Sequence, residues 1–395
     1  MTTALLIAIC ILLLIAYFFD ITSSKTKIPS VILLLILGYL VNFCCNYIQI
    51  AIPDLSPILP FLGTVGLILI VLEGSLELEF NKAKLPFVGK AALVALIPML
   101  LLSFVLGYAF HYFGNISYKD GLANAIPFAI ISSAIAIPSV QNQSTKHKEF
   151  ITYESSLSDI FGVIFFNFIT LNDNIGGSSF SEFFIEIIVI LLITFIATIF
   201  LAFLLSKINH QVKYLPIIIM IILIYAASKL YHLPGLIFIL LFGLFMGNLD
   251  ELKHFNLIKR LKPELLNKEV HQFKDLTTEI TFIVRALFFI LFGFLIKPEE
   301  LLNTETIIWA IAIVSGIFAL RLIFLKIFQF KLTPILFVAP RGLITILLFL
   351  SIPFSQASSL ANKSLIIQVI LMSALIMMIG LMFVKENVLE KNDNL

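Results

Sequence analysis

The run ESSLSD, Glu154 to Asp159, sets two carboxylates and three hydroxyls at the head of ITYESSLSDIFGVIFFNFI, an apolar stretch long enough to cross a bilayer. Residues four apart share a helix face, so Ser155 and Asp159 form one polar row. Gly162 continues that row and predicts close approach of another backbone. Glu154 and Ser158 form a second row about 100° away. The first row offers a carboxylate and a hydroxyl, hard oxygen donors that suit an alkali cation or hold a proton. The second offers a carboxylate that needs a cationic partner, and Arg321 and Arg341 are the candidates. Glu73 and Arg285 complete the set of ionisable groups read as lying within apolar stretches, and Asp159 is read as the only aspartate among them.

Positioning these groups falls to a chain that is 60% hydrophobic and only 13% charged over 395 residues. Soluble globular domains carry about 25% charged residues. The deficit, with repeated apolar runs, predicts an all-α polytopic membrane protein of thirteen spans in a single domain. The spans fall at about 3–20, 28–48, 57–78, 90–113, 121–141, 152–171, 183–205, 215–231, 234–248, 279–297, 305–328, 334–352 and 364–384. The sequence HLPG at 232–235 divides the eighth from the ninth, and the polar segment 249–278 reads as a loop with a surface helix. A net charge of +2 favours neither an acidic partner nor nucleic acid. Cys10, Cys44 and Cys45 lie in apolar runs with no metal-binding spacing and read as packing residues.

Lysine placement orients the spans. No basic residue precedes the first apolar run, while Lys25 and Lys27 follow it, the pattern of a reversed signal anchor and not of a cleaved signal peptide. With the N-terminus outside, outward loops hold only Lys119, Lys229, Lys297 and Lys363, and the remaining loop lysines fall inside. This distribution predicts an outward N-terminus and an inward C-terminus.

Depth and backbone then converge. At 1.5 Å per residue, Asp159 lies roughly 12 Å into a core about 30 Å thick, and Arg341 at a similar depth. Glu73 and Arg321 sit nearer the inner face. Arg285 lies near the inner end of its span, where it either snorkels or serves the site. The segment SSAIAIP, from Ser132 and Ser133 to Pro138, and the segment FVAPRGLIT, with Pro340 and Gly342, carry helix breakers at matching depth in the two halves of the chain. Freed backbone is tolerated there only where protein or water lines it, and paired interruptions mark the ion site of a transporter.

These residues resemble the monovalent cation–proton antiporter superfamily, the sodium/hydrogen exchangers. VLEGSLELEF (71–80) resembles the third-helix signature of that family, SSAIAIP (132–138) its interrupted helix, and ESSLSD (154–159) its Glu-Ser-Leu-Leu-Asn-Asp motif. VRALFFILFGFLI (284–296), ALRLIF (319–324) and PRGLITILLFLSIP (340–353) are similar to later signatures, in the same order along the chain. The chain departs from the electroneutral Asn-Asp branch in carrying Ser158 before Asp159, and its fifth span lacks the Thr-Asp-Pro run. The resemblance implies inverted repeats with two interrupted, crossing helices. It implies a transport core (about 90–171 and 305–384) moving against a dimerisation scaffold (about 1–89 and 183–297) in a homodimer.

It further implies that Asp159 binds the ion or the proton, with Ser155, Glu73, Ser132 and Ser133 at or beside the ion. Glu154 is implied to pair with Arg321, and Ser158, Arg341 and Arg285 belong to the supporting core. Exchange of Na⁺, or Li⁺, for H⁺ by alternating access is expected, electroneutral for want of a second aspartate. No cofactor is expected, since Na⁺ and H⁺ are substrates. The rival readings are a K⁺/H⁺ antiporter, a cation channel, which would need a filter or acidic ring, and an intramembrane aspartyl protease, which would need a second membrane aspartate. The expected location is a bacterial plasma (inner) membrane, with lipid as the surrounding partner.

Overall fold

A computed structural model describes residues 2–26, 28–49, 53–78, 84–141, 143–172, 176–208, 210, 212–231, 233–249 and 263–383. The described residues form helices joined by short turns. The helices are α1 (Thr2–Thr26), α2 (Ser30–Tyr47), α3 (Ile58–Glu77), α4 (Leu85–Gly114), α5 (Tyr118–Ala129), α6 (Ser133–Ser139), α7 (Thr145–Leu171) and α8 (Gly177–Lys207). They continue with α9 (Tyr214–Leu230), α10 (Gly235–Gly247), α11 (Pro263–Phe294), α12 (Pro298–Leu301), α13 (Thr304–Ile327), α14 (Leu343–Leu350) and α15 (Lys363–Phe383). Ten segments among the described residues are long and apolar enough to cross a membrane, with α5 and α6 counted together. The apolar helices α9 and α10 are shorter. These helices and α14 each overlap one of the apolar stretches read from the sequence.

Three expectations change. The tenth span does not begin at 279: α11 starts at Pro263 and absorbs the second part of the segment read as a loop, whose residues 250–262 lie outside the described set. Helix α1 runs on to Thr26, so Asp20 lies inside it and Asp159 is not the only aspartate in a span. Cys10 and Cys44 are exposed on the surface of the described bundle, so they do not pack in its interior.

Apolar faces alone cannot hold such a bundle together, because lipid tails solvate them as well as a neighbouring helix does. Close backbone approach substitutes for that force. Helices α2 and α11 meet reciprocally through glycine: a Cβ on Gly38 would lie 2.0 Å from the Ile290 carbonyl oxygen, and one on Gly293 2.2 Å from that of Leu35. Asn42 Nδ2 adds a 2.6 Å hydrogen bond to the Phe294 carbonyl. Gly293→Ala is expected to cost about 1–3 kcal/mol by overpacking. The check is the midpoint of thermal unfolding in detergent, and an unchanged midpoint counts against this packing.

Elsewhere α4 packs on α5, α7 and α13, α13 packs on α15, and α3 lies between α10 and α11. Helix α3 also touches α6, α7 and α14, so it adjoins both interrupted segments. Those segments are the longest buried runs among the described residues. Every residue from Gly121 to Ile137 and from Val338 to Leu348 is buried, so their freed backbone groups need partners there.

Candidate functional site: the crossing of two interrupted helices

The first interruption spans Ile130–Ser132. It follows Ala129, the last residue of α5, and precedes Ser133, the first of α6. Pro138, the breaker expected from the sequence, lies inside α6, next to the final residue, and the break falls between Pro127 and Pro138. The second interruption spans Val338–Gly342, between a single 3-10 turn at Ile335–Phe337 and α14, and it does contain Pro340 and Gly342. The two cross in direct contact, with the Ser132 amide donating to the Pro340 carbonyl at 2.9 Å. Ser132 Oγ faces the Gly342 Cα, which a Cβ would bring to 2.9 Å, and Ile135 closes the other side.

Side chains satisfy further freed backbone groups. Arg341 donates from Nε to the Phe128 carbonyl at 2.7 Å, from Nη2 to that of Ala129 at 3.1 Å, and from Nη1 to that of Ala339 at 2.9 Å. Its own amide donates to Ser373 Oγ at 3.0 Å. The guanidinium thus sits at the C-terminal end of α5, where the aligned peptide dipoles favour a cation. That engagement is why Arg341 is not the partner of Glu154. Ser158 Oγ accepts from the Ile131 amide at 3.0 Å, so the second polar row of α7 serves the break as well.

Glu154 is paired with Arg321 through two bonds, Nη1 to Oε1 at 2.5 Å and Nη2 to Oε2 at 2.8 Å. Arg321 also donates to the Ile335 carbonyl from Nε and Nη2, at 3.0 and 2.9 Å. One buried pair therefore ties α7 and α13 to the segment that enters the second break. The planar fork of arginine suits this bidentate geometry.

Asp159 stands one turn further along α7, 2% exposed. Its Oδ2 accepts from the Ser133 amide at 3.3 Å and from the Ser133 hydroxyl. Its Oδ1 is buried and has no hydrogen-bond partner within the protein. A carboxylate oxygen with free lone pairs costs free energy unless a proton or a cation completes it. Of the serines expected beside the ion, Ser133 and Ser155 behave differently. Ser133, across the break, bonds Asp159, whereas Ser155 donates to the Ile151 carbonyl one turn back at 2.7 Å. Back-bonding of that kind is common for serine in a helix. Gly162 does admit a neighbour, but it is the Ile130 side chain and not a backbone: a Cβ on Gly162 would lie 2.1 Å from Ile130 Cδ1.

A polar cavity of about 270 Å³ adjoins the crossing, lined by Ser133, Ala134 and Pro138 on one side and by Glu73, Glu77, Asp20, Thr278 and Arg285 on the other. Ser133 therefore touches both the cavity and the Asp159 carboxylate. Arg285 is mostly buried and faces this cavity, its Nη2 3.7 Å from Asp20 Oδ1. Asp20 and Thr278 were not singled out from the sequence. Asp20 closes the first apolar run as a polar end residue, and Thr278 falls in what reads as a loop.

Two interrupted, crossing helices around a buried carboxylate beside a polar cavity define a secondary transporter of ions. The chain belongs to the sodium/hydrogen exchanger family, whose transmembrane region matches residues 9–385, and that is a family of transporters that exchange a cation for protons. The fold is similar to that of the sodium proton antiporter MjNhaP1 from Methanocaldococcus jannaschii. One structure, at pH 8, has a TM-score of 0.70 and 19% identity and covers 96% of this chain and 99% of that one. A second structure of MjNhaP1, an electron-microscopy map, gives a TM-score of 0.69 at 17% identity, covering 97% and 95%. No curated protein matches the chain in sequence.

Proposed function

We propose that the protein exchanges one Na⁺ for one H⁺ by alternating access, with Asp159 as the group that holds either substrate but not both. The observation that carries this reading is the Asp159 carboxylate, with one oxygen tied to Ser133 at the break and the other without a protein partner. Ionised, it binds a partly dehydrated cation together with hydroxyl and carbonyl oxygens at the crossing. Protonated, it is neutral and releases the ion. Competition for one site couples the two fluxes. An empty, ionised site carries an uncompensated charge and is the form least able to cross a dry barrier.

Glu154 takes no part in this exchange of charge because Arg321 neutralises it, so the cycle moves no net charge. Ser133 stands between the cavity and Asp159, Glu73 lines the cavity, Ser132 lies at the crossing, and Ser155 is one turn from Asp159 on α7. The interrupted helices with α4, α7, α13 and α15 form the moving core, and α1–α3 with α8–α11 the scaffold of a homodimer. The N-terminus faces outward, and the protein serves pH homeostasis in a bacterial plasma membrane.

The test is a pH-sensitive dye inside proteoliposomes challenged with Na⁺, Li⁺ and K⁺, with and without a clamped membrane potential. Proton movement driven by Na⁺ or Li⁺ and indifferent to the clamp is expected. A response to K⁺ alone would give the K⁺/H⁺ reading instead, and ion current without proton movement would give a channel.

A further inference from the structure

The cavity beside Asp159 is lined by three carboxylates, Asp20, Glu73 and Glu77, and one cation, Arg285, and their pairing is unequal. Lys274 Nζ lies 3.4 Å from Glu77 Oε1, and Arg285 Nη2 lies 3.7 Å from Asp20 Oδ1. Glu73 is hydrogen-bonded to Thr278 and feels the charge of Arg285 across the same cavity, but the close ion pair of that arginine is with Asp20. Asp20 is held in place from a second side, since Ser30 Oγ on α2 donates to its Oδ1 at 3.2 Å. The three groups belong to different helices, α1, α3 and α11, so their relative placement is a property of the fold and not of one local sequence.

We infer that Asp20 is a positioning residue for transport: by engaging Arg285 it keeps the guanidinium off Glu73 and leaves that carboxylate open to the cation. A guanidinium is a strong bidentate partner for any carboxylate within reach. With the competing acid removed, Arg285 has one acid left to turn to in this cavity, because Glu77 is engaged by Lys274. A Glu73 bonded to arginine no longer attracts or binds an alkali cation. The effect belongs to cation affinity and not to the turnover of a loaded carrier.

This inference rests on the exchange function proposed above, and the test separates the two. Asp20→Asn keeps the shape of the side chain and an oxygen for Ser30. In proteoliposomes it is expected to raise the apparent KM for Na⁺ roughly tenfold, equivalent to about 1.4 kcal/mol of binding, with the maximal rate at saturating Na⁺ retained. Asp20→Glu is expected to restore the wild-type KM. Removing the intruding cation in the Asp20→Asn, Arg285→Gln double variant is expected to bring KM back toward wild type, and Asp20→Asn is expected to add nothing to the KM of Glu73→Gln. An Asp20→Asn protein that exchanges with unchanged KM overturns the inference and leaves the exchange function standing. The same holds for a raised KM that Arg285→Gln does not relieve, or for loss of folded protein on size exclusion that Arg285→Gln does not repair. Absence of cation-driven proton movement in the wild-type protein overturns the exchange function itself.

Discussion

Asp159→Asn is expected to abolish cation-driven proton flux in proteoliposomes while the protein inserts and elutes as the wild type does. The substitution keeps the planar shape of the side chain. The amide oxygen can still accept from the Ser133 amide and hydroxyl, so the link from α7 to the first break survives. What disappears is the negative charge and the exchangeable proton. A unit charge about 4 Å from a cation is worth on the order of 4 kcal/mol at the effective dielectric of a partly polar site. That corresponds to nearly a thousandfold in cation occupancy at 1.4 kcal/mol per factor of ten. The side chain that remains cannot alternate between a neutral and a charged form, so residual binding would not be coupled to protons. The decisive comparison is the sodium-driven pH response of wild-type and variant vesicles with equal reconstituted protein. Retained proton-coupled Na⁺ movement in the variant would place the coupling site elsewhere, with Glu73 as the half-buried acid lining the cavity.

The sequence carries the helices and the interruptions openly, because both depend on local rules. Apolar length gives the spans, and Pro340 with Gly342 in an apolar run gives the second break. The pairing of Glu154 with one of two arginines also followed from charge, since a buried carboxylate demands a cation. Charge alone does not say which arginine it takes, although the resemblance implies Arg321, which is the partner it has. That choice depends on α5, whose C-terminal carbonyls at Phe128 and Ala129 engage Arg341, and a linear pattern does not show which helix end faces which side chain. The same limit applies to the ligands of Asp159. Spacing of four joins Ser155 to Asp159 on one face, but the hydroxyl of Ser155 finds a nearer acceptor at Ile151. Ser133 arrives from another helix through a crossing that no spacing encodes. Asp20 was hidden for a different reason: a polar residue at the end of an apolar run reads as the membrane boundary, whereas α1 continues for more than another turn and turns Asp20 toward Ser30 and Arg285.

Glu154→Gln is expected to be the most destabilising conservative change in the core. The pair with Arg321 is buried, with side-chain exposures of 1% and 4%. Breaking a buried pair from one side costs about 3–5 kcal/mol, because it leaves a desolvated charge without its counter-charge. Glutamine retains an oxygen for one of the two bonds but none of the charge. Arg321 would still donate to the Ile335 carbonyl, which holds it in the interior and prevents it from escaping to water. The expected result is a lower thermal midpoint in detergent and less folded protein in the membrane. Replacing both partners by apolar residues, as in Glu154→Leu with Arg321→Met, is expected to recover much of that loss, since removing a whole buried pair is often close to neutral. Whatever fraction of Glu154→Gln folds should exchange with an unchanged apparent KM for Na⁺, because Glu154 is spent on Arg321 and not on the cation. A variant as stable as the wild type would show that the pair is not what holds α7 to α13. A raised KM in the folded fraction would show instead that Glu154 contributes to the ion site.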